Sequence, residues 1–220
     1  MDRYAVVIAG PSGAGKTTIA DSLIETLGNL EMSRSATTRA KRGDGRDDEY
    51  VYISCDEFER AIKDEDVVEY TIYSGNYYGT RKCELDRIFL ENKHPILVLD
   101  YNGVRSLKEK LDYPVFAIYV YTTLDEAERR LRERDLRSYV DEKHLLTFSK
   151  RQKENIKDYS VLFSMTELFD YYVENADINV CTSKIIDALD MLKRNESPMS
   201  LAQKRALTDD FMRQYRKSVV

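Results

Sequence analysis

An apolar run, Tyr4-Ala5-Val6-Val7-Ile8-Ala9, passes directly into Gly10-Pro11-Ser12-Gly13-Ala14-Gly15-Lys16-Thr17-Thr18, and an amphipathic stretch extends from Thr17 to Leu27. That succession constrains the fold more than any other part of the chain. A buried strand, a glycine-rich turn and a helix in immediate order open an α/β unit built on a parallel sheet. The spacing inside the turn, Gly-x-x-x-x-Gly-Lys-Thr, is that of a phosphate-binding loop. Glycines admit backbone conformations that side chains block, so successive N–H groups can converge on an anion. The helix beginning near Lys16 adds the positive end of its dipole. In such a loop Lys16 bridges the outer phosphates of a nucleotide and the Thr17 hydroxyl ligates Mg²⁺. Gly10 to Thr18 is therefore the candidate triphosphate site.

Downstream, short apolar runs alternate with helical patterns, which predicts a parallel sheet covered by helices. The clearest further strands are Pro95–Leu99 and Val115–Tyr121, with weaker ones at Leu30–Ser35 and Tyr171–Glu174. Between Thr37 and Asn92 the pattern changes: Tyr50–Ser54 and Val67–Tyr73 read as short strands around a helical Asp56–Lys63, amid many tyrosines. This predicts a small inserted subdomain. Leu124–Arg134 and Leu145–Ser160 read as helices around a polar Asp135–Lys143, the pattern of a lid. A helix at Thr182–Arg194 ends at Asn195-Glu196-Ser197-Pro198, and Leu207, Phe211 and Tyr215 then recur at four-residue spacing, predicting an amphipathic tail helix.

Bulk properties narrow the class. The 220 residues, 42% hydrophobic, suit one domain with a small insertion. With 34 basic against 39 acidic residues the net charge is −5, which disfavours non-specific binding to nucleic acid or to a membrane surface. Cys55, Cys83 and Cys181 are scattered without metal-ligand spacing, as expected of free thiols in a reducing cytoplasm. The first strand begins too early to leave room for a signal peptide, and no apolar run approaches the ~20 residues of a membrane span.

A second cluster follows the second strand: Ser35-Ala36-Thr37-Thr38-Arg39-Ala40-Lys41-Arg42, then Tyr50, then Glu69, then Asn76-Tyr77-Tyr78-Gly79-Thr80. Arg39 and Arg42 carry planar forks of donors suited to a phosphate, and the hydroxyls of Tyr50 and Tyr78 can donate to the same oxygens. With these residues the chain resembles the guanylate kinases, enzymes that phosphorylate GMP with ATP, over about residues 4 to 194. The resemblance implies a P-loop core with a GMP-binding subdomain near 36–92 and a lid near 135–145, together forming a domain over 1–194, with 195–220 as a helical extension. It also implies that Arg39, Arg42, Tyr50 and Tyr78 grip the acceptor phosphate. Ser35, Glu69, Thr80 and Asp100 then meet the guanine. A carboxylate accepts from the paired N1–H and 2-amino donors of guanine, a hydroxyl donates to its 6-oxo group, and adenine would leave the carboxylate unpaired.

The same resemblance extends to the donor side. Asp100 ends the apolar run Leu97-Val98-Leu99, where the family usually shows Asp-x-Asp; Val98 stands at the first Asp position. Arg130-Leu131-Arg132-Glu133-Arg134 matches the family's Arg-Leu-x-x-Arg at the lid base, and Arg151 matches its second lid arginine, with Arg137 as the alternative. Asn175 either lies near the adenine or caps the helix after it. The implied catalytic set is Lys16, Arg42, Arg134 and Arg151, with Mg²⁺ entering with ATP at Thr17. The expected partners are ATP and GMP, with no nucleic acid and no membrane, in a cytoplasmic monomer or homodimer. Two rivals remain open on the residues alone. One is a relative that phosphorylates another acceptor, such as a ribose bisphosphate; the other is a non-catalytic interaction module.

Overall fold

The structure is a computed structural model that describes residues 3–41, 47–135, 153 and 162–218. Its backbone order is β1 (Ala5–Ala9), α1 (Lys16–Leu27), β2 (Leu30–Met32), β3 (Ser35–Thr37), β4 (Tyr50–Tyr52), α2 (Cys55–Lys63), β5 (Val67–Tyr73), β6 (Asn76–Arg81), α3 (Lys82–Leu90), β7 (His94–Val98), α4 (Tyr101–Lys110), β8 (Val115–Tyr121), α5 (Leu124–Asp135), β9 (Tyr171–Glu174), α6 (Ile178–Lys193) and α7 (Leu201–Ser218). A five-stranded sheet has the order β2-β7-β1-β8-β9, and its outer pairs β2·β7 and β8·β9 run parallel. A four-stranded sheet has the order β4-β3-β6-β5. The expected parallel α/β core with an inserted small sheet is what forms.

β1 and β8 are continuous apolar runs because they are buried along nearly their whole length. Leu30–Ser35 does not form the single strand expected. Leu30 to Met32 pairs with β7, whereas Ser35 to Thr37 pairs with β4 and β6 in the other sheet. Ser33 still donates its N–H to the Ile96 carbonyl (3.0 Å), and at Arg34 the chain leaves the core sheet. The Arg34 guanidinium there binds both oxygens of Glu84 at 3.0 and 3.2 Å. Glu84 is buried, which alone would raise its pKa, but Arg87 and Arg34 more than offset that and hold it ionised below the usual range.

Two compact units make up the chain: residues 1–7 with 23–115, and residues 8–22 with 116–220. The first contains the small sheet, backed by Phe58 of α2, whose ring stacks on Tyr77 at 4.9 Å. Ala36, Phe58, Ala61 and Val67 form its core.

The second unit contains α5, β8, β9 and α6, and α7 docks on this same unit. Phe211 is buried and meets the Tyr121 ring edge-on at 4.8 Å. Thr208 shares a buried hydrogen bond with Thr166 (3.0 Å), and Lys204 donates to the Phe169 carbonyl (2.8 Å). α6 begins at Ile178, four residues before the sequence expectation, because Asp177 caps it through the Val180 N–H at 3.0 Å. No helix among the described residues is long and apolar enough to cross a membrane. The expected helix at Leu145–Ser160 and the polar stretch before it lie outside the described residues, apart from Asp135 and Lys153.

Candidate functional site

The end of β1 delivers the chain into the glycine loop, which belongs to the second unit, and α1 begins at Lys16. Three glycines are required by both space and backbone. Gly10, Gly13 and Gly15 have φ of +146°, +87° and +86°. A Cβ on Gly10 would lie 1.9 Å from the Val120 carbonyl oxygen, and one on Gly15 would lie 2.5 Å from Asn175 Nδ2. The loop therefore closes only with glycine at these places. Lys16 Nζ donates to the Pro11 carbonyl at 3.0 Å, so the ammonium arches across the loop. The Thr17 and Thr18 side chains are exposed at the first turn of α1.

Asn175 is not the helix cap. The cap of α6 is Asp177, whereas Asn175 donates through Nδ2 to the Ala14 carbonyl (2.8 Å) and fastens the loop from behind. Asn175 is 1% exposed, and its Oδ1 is buried without a hydrogen-bond partner. Arg130 reinforces this contact, donating to the Asn175 carbonyl at 3.0 Å while its Nε binds Glu126 at 2.7 Å. Sequence reading placed Arg130 in the lid-base motif without a site role; its four-residue spacing from Glu126 was the available signal.

The first unit holds a polar cleft of about 310 Å³, lined among others by Ser35, Glu69, Thr71, Tyr78, Asp100 and Ser106. Strand register explains the chemistry of its wall. Ser35 pairs with Tyr50, Thr37 with Tyr52 and with Tyr78, and Glu69 with Thr80. Alternation along each strand then gathers Tyr50, Ser35, Thr80 and Glu69 on one face with Tyr52, Thr37, Tyr78 and Thr71. The opposite face carries Ala36 and Tyr77, packed towards Phe58.

Behind the cleft wall Thr80, 2% exposed, donates its hydroxyl to Glu69 Oε1 at 2.7 Å. Thr80 thus orients the carboxylate. Burial pushes the Glu69 pKa up, the nearby Asp100 charge adds to this, and the Thr80 bond offsets only part. Asp100 accepts from the Gly103 N–H (2.9 Å) and so caps α4 while lining the cleft. Val98 lines the same cleft.

Beside the cleft the aromatic residues arrange a cation. Tyr78 meets Tyr50 edge-on at 6.1 Å, and the Arg39 guanidinium lies 5.2 Å from the Tyr50 ring centre and 5.6 Å from that of Tyr52. Ser35, Glu69, Tyr78 and Asp100 thus share the cleft, Thr80 binds Glu69 behind its wall, and Arg39 with Tyr50 stands next to Tyr78. Sequence reasoning missed Tyr52, Asp47, Thr71 and Ser106. Two-residue alternation from Tyr50 and Glu69 could have found Tyr52 and Thr71. Arg42, Arg137 and Arg151 lie outside the described residues, and so does the side chain of Arg134, whose backbone belongs to α5.

A family model described as guanylate kinase matches residues 2–192. A guanylate kinase of Chlamydia trachomatis serovar D is 34% identical over 175 residues, covering 78% of this chain and 80% of that protein. One from Porphyromonas gingivalis is 34% identical over 188 residues, covering 84% and 95%. The crystal structure of a guanylate kinase from Anaplasma phagocytophilum superimposes with a TM-score of 0.59 at 24% identity, covering 91% of this chain and 89% of that one, which supports the fold.

Proposed function

The chain belongs to the guanylate kinase family, and on that premise we propose that it transfers the γ-phosphoryl group of MgATP directly to GMP, giving ADP and GDP. The observation that carries the guanine assignment is the Glu69 carboxylate, tied by Thr80 and facing a polar cleft. It accepts from the N1–H and 2-amino groups of the base, beside Ser35 and Asp100. Arg39, Arg42, Tyr50 and Tyr78 hold the acceptor phosphate through charge-assisted hydrogen bonds.

On the donor side, the backbone N–H groups of Gly10 to Thr18 hold the triphosphate. Lys16 exchanges the Pro11 carbonyl for phosphate oxygens, which are stronger acceptors. Asn175 keeps the loop in shape through its bond to the Ala14 carbonyl, on the adenine side of the nucleotide. The hydroxyl exposed at the start of α1 is a hard oxygen donor of the kind magnesium takes, so Thr17 would hold Mg²⁺. When bound, the ion would supply charge neutralisation on the phosphates. Lys16, Arg42, Arg134 and Arg151, with Arg137 as the alternative to the last, stabilise charge on the moving group and exclude water. We assign residues 1–194 to the kinase domain and 195–220 to an extension, and place the protein in the cytoplasm as a monomer or homodimer.

The residues assigned to the site bind and neutralise phosphate, so positioning and charge neutralisation carry the reaction. With γ-labelled ATP and GMP, label is expected in GDP while the protein stays unlabelled. A labelled protein whose phosphate can be chased into GDP would overturn direct transfer.

A further inference from the structure

We propose that Tyr52 and Asp47 are positioning residues that hold Arg39 ready for the acceptor phosphate, a proposal that rests on Arg39 gripping that phosphate. The geometry is specific. Arg39 follows β3 by two residues, and the Thr37–Tyr52 pairing sets Tyr52 beside that strand end. The Tyr52 hydroxyl accepts from Arg39 Nη2 at 3.0 Å and donates to Asp47 Oδ1 at 2.6 Å.

A phenol has one proton to give. With that proton committed to Asp47, the lone pairs of the oxygen remain for the guanidinium. Asp47 thereby fixes the hydroxyl rotor, and the hydroxyl fixes the fork. A second bond, from Arg39 Nη1 to the Ala40 carbonyl at 3.1 Å, sets its in-plane rotation. The rings of Tyr50 and Tyr52 bear on the same cation.

Arg39 has five N–H donors, and these bonds use one on each of two nitrogens, which leaves the others for an anion. Lys41, with its ammonium 5.4 Å from the centre of the Tyr52 ring, adds positive charge beside the relay. An arginine held this way loses little side-chain freedom when phosphate arrives, and that saving appears as acceptor affinity. The hydroxyl is the discriminating atom, because a phenylalanine at this position keeps the ring contacts and loses only the relay.

The test is a double-mutant cycle on the full chain, read as kcat and KM for GMP at saturating MgATP, with thermal unfolding confirming that each variant is folded. Tyr52→Phe is expected to raise KM for GMP about tenfold at near-parental kcat, the size of one charge-assisted hydrogen bond. Arg39→Ala is expected to cost more, and adding Tyr52→Phe to it is expected to cost nothing further. Asp47→Asn, which keeps an acceptor oxygen, is expected to fall between the parent and Tyr52→Phe. If Tyr52→Phe matches the parent, or costs the same with and without Arg39, the relay is overturned while Arg39 keeps its role. If Arg39→Ala itself binds and turns over GMP as the parent does, the phosphate assignment fails and the relay fails with it.

Discussion

Lys16→Met is expected to lower turnover by on the order of 10³-fold while the protein still folds. The replacement keeps a flexible chain of similar length at the first residue of α1 and removes the ammonium that now bonds the Pro11 carbonyl. Loop shape rests on other groups: the positive φ of Gly10, Gly13 and Gly15, and the Asn175 bond to Ala14. What is lost is the cation on the outer phosphates, where charge builds during transfer. The loss should therefore fall on kcat, with KM for GMP little changed. Steady-state kinetics beside a melting curve check this, and near-parental kcat in a folded variant would remove Lys16 from the mechanism.

Glu69→Gln is expected to damage function and to raise stability. For function, guanine presents two adjacent donors, and a carboxylate accepts both. A carboxamide accepts one and sets its own NH₂ against the other. The expected fall in kcat/KM for GMP is about 10² to 10⁴-fold, since a mispaired polar group in a desolvated slot is costly.

For stability, the folded pKa of Glu69 is raised above its unfolded value, by burial first and by Asp100 second. The folded chain therefore holds that proton more tightly than the unfolded chain. Its contribution is fully present below the unfolded value and is lost as pH rises through the folded one. At neutral pH the ionised carboxylate is a burden that GMP relieves. Glu69→Gln removes the charge, while its amide oxygen still accepts from Thr80, so the variant should melt above the parent at neutral pH. The gap should close as pH falls below the ordinary glutamate value of 4.5. A lower melting temperature at neutral pH would contradict this account of the cleft.

How far the sequence could be read depended on where the information lies. β1, the glycine loop and α1 were legible because their signals are local: an apolar run, fixed glycines and a helical period. β8, β9 and β5 fall on their expected bounds for the same reason. Leu30–Ser35 misled because strand pattern does not report which sheet a strand joins, and the switch at Ser33 and Arg34 is set by Ile96 and Glu84, distant in sequence. α3 was missed: its preceding residue, Arg81, makes no capping bond, and only nine residues carry its period. α4 hides behind its own cap, since Asp100 has the pattern of a site carboxylate and also receives the Gly103 N–H.

Site residues show the same division. Ser35, Glu69, Tyr78 and Asp100 were identified by family pattern and share a cleft. Thr80 was expected to face the base, whereas its hydroxyl bonds Glu69. Alternation from Tyr50 points to Tyr52 as a residue of the same face, but its bond to Asp47 depends on how the chain folds back before β4, which no linear spacing encodes. The tail helix was predicted from Leu207, Phe211 and Tyr215, but its docking side needed Tyr121, Thr166 and Phe169.

The central claim is that a guanine-reading acceptor cleft serves an ATP-type phosphate loop. Its most direct test is ADP release measured with MgATP and each nucleoside monophosphate in turn, with ribose 1,5-bisphosphate added to the panel. The account predicts that GMP supports turnover with kcat/KM about 10⁴-fold above that for AMP. Comparable rates with AMP and GMP, or a preference for an acceptor without guanine, would contradict it.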